Sequence, residues 1–242
     1  MTAVFEYWPA LAQGLLTTIW VALTSIAGAA AGALALGPMR VGKRRWMRLA
    51  SGGFVEVIRG ASALVLLFWV FYALPLLPGM PHLSPTAAAI LVLALVGAAY
   101  GSEIVRGGIE SVQRGQSEAC HALGMTPMQT LRYVVLPQAL SQIVPAFGSL
   151  AADMIKWTSI VSFVGVQDVL YAANNVRSAT YETVTVFGLL AALYWLLCVM
   201  SGQLFRAVER VLPLNRALRA AGSASADAGE RAIDIETSVV AR

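Results

Sequence analysis

An all-α, polytopic membrane protein with five transmembrane helices is the fold class this sequence predicts, on three observations. Charged residues make up 12% of the 242 residues against 58% hydrophobic ones, and the mean hydropathy is +0.70. A soluble domain carries about 25% charged residues, so much of this surface is built to face something other than water. Four long stretches contain no Asp, Glu, Lys or Arg: Glu6 to Arg40, Arg59 to Glu103, Arg132 to Asp153, and Glu182 to Arg206. The basic residues gather on alternate connections between those stretches.

A span needs about 20 mostly apolar residues, because the hydrocarbon core is about 30 Å thick and a helix rises about 1.5 Å per residue. The second charge-free stretch is long enough for two helices. Its middle, Pro75 to Pro85, reads PLLPGMPHLSP and cannot continue a helix. The expected helices are therefore about 10–37, 54–75, 84–110, 138–165 and 184–210.

Lys and Arg mark the cytoplasmic side. Arg40, Lys43, Arg44, Arg45 and Arg48 follow the first helix, Arg106, Arg114 and Arg132 follow the third, and Arg206, Arg210, Arg216, Arg219, Arg231 and Arg242 follow the fifth. The residues before the first helix and the Pro75–Pro85 loop have none, and the loop from Val166 to Thr183 has Arg177 alone. This places the N-terminus (1–9) outside, a transmembrane domain over 10–212, and a cytoplasmic tail over 213–242. The tail, rich in small and charged residues without apolar periodicity, is expected to be disordered. The positive charge follows the first apolar run instead of preceding it, so no cleaved signal peptide is expected.

The net charge of +4 is distributed between apolar runs, so it reads as topology and not as a nucleic-acid-binding face. Cys120 and Cys198 are far apart, and His82 and His121 are isolated, so neither a disulfide framework nor a metal site is expected. Gly37 to Arg44, GPMRVGKR, approaches a phosphate-binding loop but ends in Arg where Ser or Thr would bind Mg²⁺, and it follows an apolar helix instead of a strand. No ATP site is expected in this chain.

Between the third and fourth helices, Ser117 to Pro137 reads SEACHALGMTPMQTLRYVVLP. Ser117 can cap a short helix with Glu118 at its positive end. Gly124 can stop it in the left-handed conformation. Thr126, Pro127 and Gln129 form a T-x-x-Q capping box with Pro at the first helical position. Pro137 is expected to end or kink the run before the fourth helix. The expected product is a cytoplasmic helix–turn–helix between two spans, presenting a convex feature to a partner.

These residues resemble the permeases of binding-protein-dependent ABC importers. Their pattern is E-A-A, three residues, Gly, nine residues, Ile, one residue, Leu-Pro. Here it stands as Glu118-Ala119-Cys120, Gly124 and Val134-Val135-Leu136-Pro137, with Cys for Ala and Val for Ile. Glu56-Val57-Ile58-Arg59-Gly60, Ala99-Tyr100, Glu103-Ile104-Val105-Arg106-Gly107, Gly115-Gln116-Ser117-Glu118, Leu136-Pro137-Gln138-Ala139 and Lys156-Trp157-Thr158-Ser159-Ile160-Val161-Ser162 resemble the polar amino-acid branch. Coverage extends from about residue 10 to 212. Arg59 to Pro75 resembles permeases for ectoine-type compatible solutes within that branch.

The resemblance implies a type I importer permease fold in the bacterial inner membrane and no catalysis by this chain. It also implies a cytoplasmic ATPase dimer that uses ATP and Mg²⁺, a second permease (identical or similar), an external solute-binding protein and a small-molecule cargo. It assigns ATPase coupling to segment 111–137 and, within it, to Glu118, Ala119, Cys120, Gly124, Leu136 and Pro137. The sequence departs from the branch at Ala61-Ser62, at Ser149 where Asn is usual, and at Trp157 where an acid is usual.

Asp153 and Lys156 lie three residues apart inside the fourth span and share a helical face. A lone charge there costs about 2.5–3.5 kcal/mol even on insertion scales. With Thr158 and Ser159 they either line or gate a translocation path, or lock the helix to its neighbours. An ion-gradient-driven transporter of small zwitterions is the other reading; it would need more mid-membrane carboxylates or broken helices than Asp153 supplies.

Overall fold

The computed structural model describes residues 7–42 and 44–211. Eight helical elements carry them: α1 (Trp8–Val41), α2 (Arg45–Gly60), α3 (Ala63–Leu76), α4 (Pro85–Glu110), α5 (Arg114–Ala122), α6 (Pro127–Val164), α7 (Val169–Thr180) and α8 (Thr183–Val211). The described residues contain no strand. The proposed tail over 213–242 and residues 1–6 of the N-terminal segment lie outside them.

Four of these helices, α1, α4, α6 and α8, are long and apolar enough to cross a membrane, and α2 with α3 makes a fifth crossing if the bent pair is counted as one. Contacts between small residues give their directions. A Cβ on Gly32 would lie 2.6 Å from Ala98 Cβ, and one on Gly101 would lie 2.8 Å from Ala33 Cβ. The paired numbers rise together, so α1 and α4 are parallel and closely apposed along their lengths. Numbers fall against each other between α4 and α6, where Gly97 meets Met154 and Gly108 meets Ile143. They also fall between α6 and α8, where Gly148 meets Phe205 and Cys198 Sγ donates to Ala152 O. Parallel α1 and α4 require the intervening α2–α3 segment to return the chain across the bundle. The start of α1 and the end of α8 therefore lie at opposite ends, as five crossings demand.

The second expected helix, about 54–75, is not one helix. A helix starts earlier, at Arg45, and breaks at Ala61 and Ser62, which are both extended; α3 then leaves at 99° to α2. Neither residue is a proline or glycine, and the basic Arg45–Arg48 stretch reads as loop by charge alone. The fourth helix starts at Pro127, not 138. Pro137 neither ends nor interrupts it: a π-helical turn over Leu131–Val135 precedes the proline, with the Leu136 N–H donating to Leu131 O. The wider turn moves Tyr133 O, four residues back, out of the path of the proline ring.

The expected loop from Val166 to Thr183 contains α7. Asp168 caps it, and Val169, Ala172, Ala173 and Val176 form its buried stripe. At 12 residues it is too short to register as a span. It docks against the first third of α1, where Gly14 faces the Asp168 backbone and the Val169 N–H donates to Thr18 Oγ1 at 3.1 Å.

Candidate functional site

The turn between α5 and α6 is built as its residues dictate. Gly124 has φ +77°, a value strained for a side chain with a Cβ. Its N–H donates to His121 O and the Met125 N–H to Cys120 O, each at 3.0 Å, which satisfies carbonyls at the end of α5. Thr126 and Gln129 form the reciprocal cap: the Thr126 N–H donates to Gln129 Oε1 at 2.8 Å and the Gln129 N–H to Thr126 Oγ1 at 3.3 Å. Ser117 is not a cap. After a short turn from α4, α5 begins at Arg114 with Gln113 before it, which puts Ser117 and Glu118 inside the helix.

Glu118, Ala119 and Gly124 are exposed, Cys120 is buried, Leu136 is half-buried and Pro137 is exposed. The expected segment residues therefore split: Cys120 anchors α5 while Glu118, Ala119 and Gly124 are open to solvent. Leu123 and Met128 flank the turn at 81% and 70% exposure, and Tyr133 is also exposed. These three apolar side chains lie outside the E-A-A, Gly and Leu-Pro positions of the motif. Behind the segment, Val41, Glu110, Glu118, His121 and Thr130 border a cavity of about 750 Å³.

Near the same end of the bundle, Glu103 on α4 gathers arginines from three helices. Arg40 Nη1 lies 2.5 Å from Oε1, Arg59 Nη1 lies 3.3 Å from the same oxygen, and Arg106 Nε lies 2.8 Å from Oε2. Arg106 also reaches Glu110 at 2.6 Å. Gly37 to Val41 of the stretch resembling a phosphate loop thus close α1, with Arg40 committed to Glu103. The Arg59 guanidinium stands 5.0 Å over the Tyr100 ring, and Tyr100 packs on Trp157 with centroids 5.5 Å apart. Trp157 is therefore an interior contact between α4 and α6.

In the last third of α6, at the end of its α-helical part, Lys156 Nζ donates to Asp153 Oδ1 at 2.8 Å. The pair points out of the chain with Ser149, and Ser159 is half-buried, its hydroxyl donating to Lys156 O. Thr158 does not join them: it is fully buried and donates to Ile155 O at 2.7 Å. Gln142, Ser149, Asp153 and Lys156 are spaced by seven, four and three residues and are all exposed, forming a polar stripe along one face of α6. Its helical spacing was readable from the sequence, but only its charged end drew attention. Among the described residues no three His, Cys, Asp or Glu side chains are placed to hold a metal.

A family model described as "Binding-protein-dependent transport system inner membrane component" matches residues 28–212. A probable amino-acid ABC transporter permease of Sinorhizobium fredii is 35% identical over 208 residues, covering 84% of this chain and 87% of the relative. The octopine transport system permease OccM of Rhizobium meliloti is 33% identical, covering 85% of this chain and 86% of its own length. The glutamine transport system permease GlnP of Escherichia coli is 28% identical, with 86% and 95% covered. Among solved structures, an amino acid ABC transporter crystallised with histidines superposes with a TM-score of 0.79 at 31% identity, covering 86% of this chain and 97% of that one. The MetNI methionine transporter in an inward-facing form has a TM-score of 0.68 at 23% identity, covering 82% of this chain and 96% of its own, a likeness of fold.

Proposed function

The chain belongs to the family of binding-protein-dependent transport system inner membrane components, and we propose that it carries a polar amino acid or a similar small zwitterion between itself and a second permease. Membership makes it an ABC importer permease of the amino-acid transport type, a multi-pass inner-membrane transport subunit and not an enzyme. The relatives are named for octopine, nopaline, cystine and glutamine. Each of these cargoes carries both an amine and a carboxylate, as an ectoine-type solute carries both charges.

The observation that carries the proposal is the exposed Asp153–Lys156 pair on α6. A helix facing hydrocarbon would not hold an ion pair there. A second permease, identical or similar, covers this face, and the Gln142–Lys156 stripe borders a polar path between the two. A zwitterion matches a wall that offers one cation and one anion side by side.

The basic end of the bundle, where Arg40, Arg59 and Arg106 meet Glu103, faces the cytoplasm, with the start of α1 outside. Segment 111–137 then meets a cytoplasmic ATPase dimer, which holds ATP and Mg²⁺. Glu118, Ala119 and Gly124, with Leu123 and Met128, supply the contact, while Cys120, Leu136 and Pro137 fix it to α6. Because the turn joins α6 without a break at Pro137, displacement of the segment is transmitted to the helix carrying Asp153 and Lys156. An external solute-binding protein delivers the cargo.

The test is uptake into proteoliposomes holding this chain, its ATPase and the second permease, with the binding protein supplied and its ligand fixed first from amino acids, opines and ectoine. Uptake that follows ATP hydrolysis and ignores collapse of the proton gradient supports the reading. Uptake that persists without ATP and stops on collapse of the gradient contradicts it.

A further inference from the structure

Around α2 three faces can be distinguished. Ser51, Val55 and Ile58 pack into the core. Trp46, Leu49, Ala50, Gly53 and Val57 form an exposed apolar stripe, with Leu49 at 72% and Val57 at 70% exposure. Arg45, Arg48, Glu56 and Arg59 form an exposed charged stripe. At 3.6 residues per turn the charged and exposed apolar stripes lie roughly 120° apart around the helix. A helix divided in this way has one side for the protein, one for an apolar medium and one for water.

Its position supplies that medium. α2 turns by 99° into α3, the apolar limb of the bent crossing. A helix nearly perpendicular to a crossing segment lies close to the membrane plane. Its C-terminal end sits at the basic end of the bundle, where Arg59 meets Glu103 beside Arg40. Those two arginines are occupied by Glu103. Arg44, Arg45 and Arg48, all exposed at the other end of α2, form no ion pair among the described residues.

We infer that α2 is an interfacial helix that binds anionic phospholipid. Trp46, Leu49, Gly53 and Val57 enter the boundary between headgroups and acyl chains. Arg44, Arg45 and Arg48 engage headgroup phosphates, for which the planar guanidinium is suited. The inference needs only that the chain spans a membrane, and stands whichever cargo it carries.

Fluorescence of the full-length chain tests it, in vesicles of phosphatidylethanolamine containing either phosphatidylglycerol or phosphatidylcholine, each brominated near the headgroup. The emission lost in Trp46→Phe isolates the signal of that residue. Quenching of it is expected to be at least about twofold stronger with brominated phosphatidylglycerol, since each basic residue near the surface favours anionic lipid severalfold. The preference should vanish in Arg44→Gln/Arg45→Gln/Arg48→Gln, shrink in Arg48→Gln alone, survive lysine at all three positions, and survive Glu56→Gln. A Trp46 unquenched by either lipid, its stripe then covered by protein, overturns the inference. So does equal quenching by both headgroups, which would mean apolar contact without recognition of charge.

Discussion

Lys156 donates to Asp153 across 2.8 Å while both side chains stay more than half exposed on the outer face of α6. Under the proposed pairing with a second permease on this face, taking one partner away leaves a single charge in the interface, whereas taking both leaves none. Lys156→Met should therefore reduce uptake and folded yield more than Asp153→Asn combined with Lys156→Met. The two quantities are to be measured separately, because a purely structural pair would lower yield and uptake in proportion. If single and double variants match wild type in both, the pair has neither role.

Glu103 is shared by Arg40, Arg59 and Arg106. Glu103→Gln keeps the shape and removes the charge, leaving Arg40, only 12% exposed, without its acid among the described residues. The expected cost is roughly 2 kcal/mol, read as a lower unfolding temperature in detergent. Glu110 is half exposed and, among the described residues, pairs with Arg106 alone, so Glu110→Gln should cost distinctly less. Equal effects would show that the cluster does not join α1, α2 and α4.

Asp168, in the connection between α6 and α8, is fully buried; its Oδ1 accepts the Tyr171 N–H at 2.8 Å while Oδ2 has no hydrogen-bond partner among the described residues. Burial raises its pKa from the ordinary 3.8 to about 6, against the lowering effect of the Tyr171 and Leu170 N–H groups. A raised folded value means the folded chain holds the proton more tightly than the unfolded one. That contribution is fully present below the unfolded value and is lost as pH rises through about 6. The loss is about 3 kcal/mol at most. Asparagine caps a helix as well as aspartate, so Asp168→Asn should remove this fall, which lies mainly between pH 3.8 and about pH 6. An unchanged pH profile in the variant would place the titration elsewhere.

Much of the architecture was legible because its causes are local. Charge-free length located α1, α4, α6 and α8. Thr126, Pro127 and Gln129 specify their cap without help from the rest of the fold, and Gly124 adopts the φ its place in the turn requires. The bend at Ala61–Ser62 was hidden because neither residue breaks a helix by itself; the packing of Val55 and Ile58 on one side and Leu67 on the other directs it. The shelter of Glu103 was hidden for a similar reason, as its arginines come from helices distant in sequence. Ser117 shows the converse limit: a good cap residue is not used when the helix already starts upstream.

Orientation is open to direct labelling. In a background lacking Cys120 and Cys198, a cysteine replacing Met80, in the connection before α4, should react with an impermeant reagent added outside. A cysteine replacing Arg45 should react only after the membrane is opened. The reverse pattern would invert the proposed topology and remove segment 111–137 from the cytoplasm.

Coupling through the α5–α6 turn is the central claim, and substrate-stimulated ATP hydrolysis by the assembled complex tests it most directly. Gly124→Val forces a β-branched residue into φ +77°, and Glu118→Lys reverses the exposed charge on α5; neither alters an apolar span. Both variants should insert and accumulate normally, yet lose most of the stimulated hydrolysis or fail to retain the ATPase on purification. Wild-type assembly and wild-type stimulated rates in both variants would contradict the account.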